Sequence, residues 1–339
     1  MRQDCVTWPG WPKKRPAIIA EVGMNHGGDN NLAWEMIQAA HENGADFIKL
    51  QTYSTERFFH PSLTYFNSTK SMELSPEGTA ELFAKSEKNG VQLFTTPFDP
   101  ESVDFIEGFS PKLYKIASMD NDNTPLIEHI AQKGKPVIVS CGMASFDEIS
   151  QVLEAVKKTG NDQLILLHCI SDYPAKPESL NLEMIPYLKN TFNVPIGFSD
   201  HAIGLNSAFM AISMGSSMVE KHFTTDRKLA DSMPDADHDI SIEPQELSEL
   251  IAFAEDASLM RGKAPRQITS GEKEGRIAFR RGLYTRKAVK AGEKLSLENT
   301  VLLRPVKGIA ANQWKEVFGK SFLREIEAME DINLSDLES

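Results

Sequence analysis

The chain has 339 residues, of which 41% are hydrophobic and 25% are charged. This composition excludes disordered, collagen-like and disulfide-scaffold proteins, and the length predicts one large domain and one small one. The net charge of −12 argues against a broad nucleic-acid or anionic-membrane surface, because such a surface must be basic.

Targeting signals and cysteines indicate in which compartment the protein works. No run approaches the roughly 18 apolar residues of a membrane span, and residues 1–16 lack the apolar core of a secretory signal. The three cysteines, Cys5, Cys141 and Cys169, show no metal-type spacing, and the last two lie in apolar runs that favour buried, reduced thiols. We therefore expect a cytoplasmic enzyme.

Eight short apolar runs alternate with amphipathic segments along the first 260 residues. The runs lack a clean apolar–polar alternation, which is typical of parallel strands covered by helices. They are residues 17–23, 47–52, 93–98, 113–118, 136–141, 164–169, 195–200 and 218–223. Between them, helical patterns such as 32–43 and 146–158 end near Gly44 and Gly160, glycines suited to helix C-termini.

Eight strand–helix units of this total length predict an α/β fold of the TIM (β/α)₈ barrel type. A doubly wound open sheet is the alternative, although no Gly-rich dinucleotide loop follows the first run. Polar side chains gather at the carboxyl ends of the runs, where barrel active sites are built. They are Glu21, Lys49, Gln51, Thr95, Thr96, Lys115, Ser118, His168, Asp200, His201, Lys221 and His222.

The pattern changes after residue 255. We predict an N-terminal extension at 1–16, a barrel at 17–260, a linker at 261–281 and a small domain at 282–339. The basic linker also has the composition of a nucleic-acid patch, but the overall acidity favours a solvated connection. In the tail, residues 289–299 and 326–336 align without gaps, which indicates two similar halves.

Two lysines end neighbouring or nearly neighbouring strands. Lys49 and Lys115 are costly to place near a barrel lumen unless an anion or carboxylate pairs with them, which suggests a phosphate or carboxylate ligand. Two alternatives stay open: the lysines point into solvent, or one of them forms a Schiff base, as in an aldolase.

Two histidines end the seventh and eighth runs. Adjacent strands lie about 5 Å apart, so His201 and His222 are placed to share one divalent cation, with water and substrate completing the shell. A pair of ordinary hydrogen-bonded histidines is the alternative. Glu21, which ends the first run, is a candidate general base or orienter of water. The long segment 53–75 either covers the site or is an inert decoration.

These residues, in this order, resemble the bacterial sialic acid synthases. That family includes the N-acetylneuraminate, legionaminate and pseudaminate synthases and a spore-coat polysaccharide branch. The resemblance runs from residue 17 to 338, and the tail is similar to the small, β-rich, antifreeze-like (SAF) domain of these enzymes. It rests on AEVGMNHGG at 20–28, GADFIKLQTY at 44–53, YKIAS at 114–118, GFSDH at 197–201, EKHFT at 220–224, LLRP at 302–305 and VFGK at 317–320.

The resemblance implies a homodimeric barrel enzyme that condenses phosphoenolpyruvate with an N-acyl hexosamine and releases phosphate. The sugar would be N-acetylmannosamine or a diacetamido-trideoxyhexose, and His201 and His222 would bind Mn²⁺ or Mg²⁺. The implied phosphoenolpyruvate ligands are Lys49, Gln51, Thr96, Lys115 and Ser118. The implied sugar ligands are Asn67, Ser171, Tyr173 (which would also touch phosphoenolpyruvate), Asp237 and, from the SAF domain of the other subunit, Arg304.

The implied chemistry combines metal and protein groups. The metal would polarise the sugar aldehyde, the two lysines would stabilise phosphate and carboxylate charge, and Glu21 would orient or deprotonate the water that adds to the phosphate-bearing carbon.

Departures from the family pattern leave the sugar open. The family often has Ser-Gly-Glu where this chain has residues 118–120, so Asp120 would fill the glutamate's catalytic role one methylene shorter. Asn67 is a loose match, and the segment 225–237 is longer than in the neuraminate enzymes. Two other functions remain as alternatives: a pyruvate-dependent Schiff-base aldolase, and an inactive binding or scaffold relative.

Overall fold

The computed structural model describes residues 11–262 and 264–339. Most of the predicted N-terminal extension, with Cys5, and Lys263 of the predicted linker lie outside the described residues. The chain divides into two compact units, the first ending at Arg261 and the second beginning at Gly262.

The first unit is a parallel eight-stranded barrel, as predicted. Its strands pair in the order β3, β2, β1, β8, β7, β6, β5, β4, and β3 and β4 also lie in contact, which nearly closes the ring. The strands are β1 (Ala17–Gly23), β2 (Phe47–Thr52), β3 (Leu93–Pro97), β4 (Tyr114–Ile116), β5 (Val137–Ser140), β6 (Leu164–Cys169), β7 (Ile196–Asp200) and β8 (Met218–His222).

Helices follow the strands and cover the barrel. They are α1 (Asn30–Glu42), α2 (Thr55–Phe58), α3 (Phe66–Ser71), α4 (Pro76–Lys88), α5 (Pro100–Glu107), α6 (Thr124–Ala131), α7 (Phe146–Lys158), α8 (Met184–Phe192), α9 (Asn206–Ser213) and α10 (Pro244–Arg261). Helix α7 has the predicted bounds, and α1 begins earlier than predicted because the Asp29 carboxylate caps its first turn. No helix in the described ranges has the length and apolarity needed to cross a membrane.

Side chains on the strands alternate between the helices and the barrel lumen. On β1, Ile18 and Ala20 pack against the helices, whereas Ala17 and Ile19 belong to an apolar cluster inside the barrel. Glu21 is the next inward position of the same series. The lumen is therefore apolar in its lower layers and becomes polar at the carboxyl ends of the strands, which is the end that carries barrel active sites.

The second unit contains α11 (Ser270–Phe279), β9 (Gly282–Thr285), β10 (Thr300–Leu303) and α12 (Trp314–Val317). Helix α11 falls within the predicted linker, where a Thr269 capping box starts it. The two segments that align in the sequence pair with each other, because the Val289 and Ile326 backbones exchange N–H···O bonds of 2.9 and 3.1 Å. Both side chains are buried in the core of this unit.

Gly197 lies on the inward face of β7, where a side chain has no room. A Cβ atom would lie 2.4 Å from Leu167 Cδ2 and 2.9 Å from the Met218 carbonyl oxygen. We predict that Gly197→Ala lowers the free energy of unfolding by about 1–3 kcal/mol through overpacking, as measured by urea unfolding. The control is Gly271→Ala in α11, where no atom lies within 4 Å of the new Cβ. Equal losses in the two variants would contradict the prediction.

Candidate active site

A cavity of about 330 Å³ opens at the carboxyl ends of the barrel strands. Most of the residues predicted to form the site line it. These are Glu21, Lys49, Gln51, Thr96, Lys115, Ser118, Ser171, Tyr173, His201, His222 and Asp237. Eight strands thus bring together residues that are up to 216 positions apart in the sequence.

Two lysines and two glutamates form a charged network at the base of the cavity. Lys49 Nζ lies 2.6 Å from Glu21 Oε2 and 3.1 Å from Thr96 Oγ1. Lys115 Nζ donates to Glu220 Oε1 at 2.9 Å, and Lys49 Nζ lies 3.8 Å from the same oxygen. All four charged side chains are almost fully buried, so neither lysine points into solvent, and their cost of burial is offset by pairing.

The two glutamates differ in acidity because their surroundings differ. Burial opposes the charge of Glu220, but Lys115 and Lys49 outweigh it and hold the pKa of Glu220 well below its ordinary value. Burial raises the pKa of Glu21 to about 7, with Lys49 opposing the rise and Glu220 adding to it. Glu21 is therefore the carboxylate of this network that can exchange a proton near neutral pH.

The two histidines face each other across the cavity, with ring centroids 5.5 Å apart. His201 Nδ1 lies 2.8 Å from the carbonyl oxygen of Ile170; a carbonyl only accepts, so Nδ1 carries the hydrogen and Nε2 accepts from the Tyr173 hydroxyl at 3.1 Å. Among the described residues, His222 Nδ1 is buried without a hydrogen-bond partner, and the Asp237 carboxylate lies 3.6 Å from it.

Both imidazoles are neutral at neutral pH. Burial, together with nearby positive groups, lowers the pKa of His201 to about 4 and that of His222 to about 3. Neutral imidazoles, each with one unprotonated ring nitrogen, fit a divalent cation. In the described part of the chain, no three His, Cys, Asp or Glu side chains are grouped to hold a metal, so a cation between these histidines would need water or substrate as its other ligands.

Small residues bring hydroxyl groups close together on the β4–β6 side. A Cβ atom on Gly142 would lie 2.2 Å from Ser171 Oγ and 2.7 Å from Ser118 Oγ. The Gly142 N–H donates to Ser118 Oγ at 3.2 Å, and Ser118 Oγ lies 3.4 Å from Cys169 Sγ. Only a glycine at position 142 leaves both serine hydroxyls available to a ligand.

An apolar wall completes the cavity. Part of the long segment after β2 belongs to it, since α2 ends at Phe58 and both Phe58 and Phe59 line the cavity. Phe58 stacks on Phe98 with ring centroids 4.2 Å apart. Met119 and Met143 also line the cavity. The segment 53–75 therefore contributes two aromatic side chains to the wall of the site and is not an inert decoration.

Two predicted residues of the first unit lie outside the cavity, and a third belongs to the second unit. Asn67 is exposed on α3 and does not line the cavity, because the helical turn carries it away. Asp120 also does not line the cavity, and its carboxylate accepts a hydrogen bond from Asn123 at 3.2 Å while burial raises its pKa. Arg304 belongs to the second unit, where its side chain is exposed.

Strand alternation corrects the list of strand-end residues. Thr95, His168, Asp200 and Lys221 do not line the cavity; the His168 ring bonds to the Leu180 carbonyl, for example. Glu220, which sequence analysis missed, faces the lumen instead. The sequence contains the evidence that places Glu220 in the lumen, because Glu220 lies two residues before His222 on one strand and the two therefore share a face.

The comparisons with known proteins agree over both units. Residues 36–266 match the model of the NeuB family, and residues 280–338 match the model of the SAF domain. The chain is 34% identical to the N,N'-diacetyllegionaminic acid synthase of Legionella pneumophila over 92% of this chain and 91% of that protein. It is 33% identical to a pseudaminic acid synthase of Campylobacter jejuni, over 95% and 97% respectively.

A solved structure is similar as well. The N-acetylneuraminic acid synthetase of Leptospira borgpetersenii superposes with a TM-score of 0.72 at 36% identity, over 77% of this chain and 90% of that one.

The raised pKa of Glu21 predicts a pH dependence of stability. Between its ordinary value of 4.5 and about 7, Glu21 is protonated in the folded state and charged in the unfolded state, so its contribution to stability falls as the pH rises. Glu21→Gln removes that fall. We expect the free energy of unfolding of the variant to rise by roughly 1–3 kcal/mol relative to wild type as the pH goes from 5 to 7, measured by urea unfolding.

Glu107→Gln is the control for this experiment. Lys135 and Tyr114 hold the pKa of Glu107 below its ordinary value despite partial burial, so Glu107 titrates below the range from pH 5 to pH 7. The free energy of unfolding of Glu107→Gln, plotted against pH, should therefore run parallel to that of wild type. A parallel curve for Glu21→Gln would refute the assignment.

Proposed function

Because the chain belongs to the NeuB family, we propose that it is a sialic acid synthase in the broad sense. It joins phosphoenolpyruvate to the open-chain aldehyde of an N-acyl hexosamine and releases inorganic phosphate. The observation that carries the proposal is the convergence, in one cavity, of Lys49 and Lys115, of Glu21 with its pKa of about 7, and of two neutral histidines. The two lysines can bind an anion, Glu21 can exchange a proton, and the two histidines can hold a cation that activates an electrophile.

The phosphoenolpyruvate site is proposed at the base of the cavity. Lys49 and Lys115 lie within 4 Å of the Glu220 carboxylate, so one ligand anion in this space would contact both ammonium groups. Gln51, Thr96 and Ser118 line the same region and supply neutral hydrogen-bond donors.

The sugar site is proposed above it, toward the histidines. Tyr173, Ser171 and Asp237 line this part of the cavity and carry the hydroxyl and carboxylate groups that bind a polyol. Mn²⁺ or Mg²⁺ held by His201 and His222 would supply Lewis-acid polarisation of the sugar aldehyde.

The bonds and protons balance with one water. Carbon 3 of phosphoenolpyruvate bonds to the aldehyde carbon as the C=O π bond of the aldehyde breaks, positive charge develops on carbon 2, and water adds there. Glu21 accepts one proton of that water, and the aldehyde oxygen takes up one proton to become a hydroxyl group, so Glu21 returns to its carboxylate form. The bond between carbon 2 and the phosphate oxygen then breaks, the hydroxyl proton on carbon 2 leaves with the phosphate, and a keto acid remains. Lys49 and Lys115 stabilise the phosphate and carboxylate charge throughout.

The ion pairs disfavour a Schiff-base aldolase. A Schiff base requires the lysine nitrogen to attack the carbonyl carbon of pyruvate, whereas both lysine nitrogens here are engaged in ion pairs. Lys49 lies beside Glu21 and Lys115 lies beside Glu220 at hydrogen-bond distance. Borohydride trapping of pyruvate on either lysine would support the aldolase instead.

We predict phosphate release from phosphoenolpyruvate that requires one particular N-acyl sugar. The measurement is phosphate release with Mn²⁺, with Mg²⁺ and with a chelator, across a panel of N-acetylmannosamine and diacetamido-trideoxyhexoses. Lys115→Met should lower kcat at least about 100-fold, because it removes an electrostatic contact to the reacting anion. Release that ignores the sugar, or a fully active Lys115→Met, would refute the proposal.

The proposed enzyme is a cytoplasmic homodimer in which Arg304 reaches the sugar bound to the other subunit. Cys141 and Cys169 are free thiols, as expected in a reducing compartment. We predict that mixing Arg304→Ala with Lys115→Met restores activity, up to about a quarter of wild type if subunits exchange at random, because one mixed dimer holds one intact site. No recovery after proven subunit exchange would place Arg304 in its own subunit's site, or in none.

A further inference from the structure

A second buried ion pair lies just outside the lumen, between β7 and β8. Lys221 Nζ lies 3.0 Å from Asp200 Oδ2, and both side chains have no exposed surface. Asp200 Oδ2 also accepts from the Ser207 hydroxyl of α9 at 2.6 Å. Neither residue lines the cavity, so neither can touch a substrate there.

The pair is joined to the backbone of Ala202, the residue that follows His201. Asp200 Oδ1 accepts from the Ala202 N–H at 2.9 Å, and Lys221 Nζ donates to the Ala202 carbonyl oxygen. His201 lies between Asp200 and Ala202, and His222 follows Lys221 directly. The residues next to the two imidazoles on the chain are therefore bound to each other.

We propose that the Lys221–Asp200 pair is a positioning device that fixes the separation of the His201 and His222 imidazoles and so sets the affinity for a divalent cation. This inference rests on the cation site of the proposed function. The pair joins the ends of β7 and β8 directly, and Asp200 also binds Ser207 of α9. A cation held by two imidazoles is sensitive to a displacement of a few tenths of an ångström.

An ion pair suits this task better than apolar packing. Replacing a buried ion pair with apolar side chains of similar volume often leaves stability unchanged, so stability alone does not require Lys221 and Asp200 here. Apolar contacts have no direction, whereas the lysine and the carboxylate hold the N–H and the C=O of Ala202 at defined distances. The pair therefore fixes where the turn after β7 lies relative to β8.

The test measures Mn²⁺ binding without substrate, by titration calorimetry on the full chain. Lys221→Met keeps the length of the side chain and removes its charge. We expect its dissociation constant for Mn²⁺ to rise about 10- to 100-fold, as for other residues that orient metal ligands. Since a lone buried Asp200 could prevent folding, Lys221→Met combined with Asp200→Asn is the second variant, with the same expected loss.

A matched control lies at the other end of the same barrel. Arg15 and Asp46 are both buried, with Arg15 Nη1 2.5 Å from Asp46 Oδ2, and Asp46 also accepts from the backbone N–H of Ile18 at 2.8 Å. Arg15→Met, alone and with Asp46→Asn, should lower the thermal midpoint but change Mn²⁺ affinity less than twofold.

The outcomes separate the inference from the proposed function. Weakened Mn²⁺ binding only in the Lys221 variants supports the inference. Wild-type affinity in a folded Lys221 variant, or an equal loss in the Arg15 variants, overturns it and leaves the cation site standing. A wild-type protein that binds no Mn²⁺ overturns the cation site itself, and this inference with it.

Discussion

Mutual pairing of four buried charges is the constraint on which the cavity depends. Two ammonium groups and two carboxylates lie where the barrel lumen changes from apolar to polar, and each is tolerated there only because an opposite charge is near. The pairing is uneven. Glu220 accepts from Lys115 and from the Ser199 hydroxyl, which leaves Glu21 with one close cation and a pKa near neutrality. Two glutamate side chains thus have different pKa values, one lowered and one raised, because their surroundings differ.

The register of the strands is what brings these charges together. Glu21 lies level with Lys49 on β2 and with His222 on β8, so β1 connects the charged network at the bottom of the cavity with the histidines. Burial acts on both regions in opposite senses, because it favours the protonated carboxylic acid and the unprotonated imidazole. The same buried environment therefore produces a proton acceptor and two neutral imidazoles without any residue being unusual in itself.

Sequence analysis predicted the barrel from periodicity. It predicted part of the cavity from polar residues at strand ends, whereas Ser171, Tyr173 and Asp237 came only from the family resemblance. Runs such as Ala17–Gly23 and Leu164–Cys169 have in the structure the bounds that their composition indicated. What it could not predict is which strand-end residues turn inward, since a list of polar residues ignores the two-residue alternation that sends Lys221 outward and Glu220 inward. Asn67 and Asp120 illustrate another limit. Both lie in short helical turns after strands, where motif position does not fix the direction of a side chain.

The paired segments of the second unit have a consequence for how that unit varies. Val289 and Ile326 occupy equivalent places in the two halves and bond to each other, and the left-handed backbone of Gly292 recurs at Met329, its counterpart. Such a unit behaves as a dimer fused into one polypeptide. A change at the pseudo-twofold axis acts on both halves at once, whereas a change away from the axis acts on one. Either half is therefore free to acquire its own surface chemistry while the other maintains the shared core.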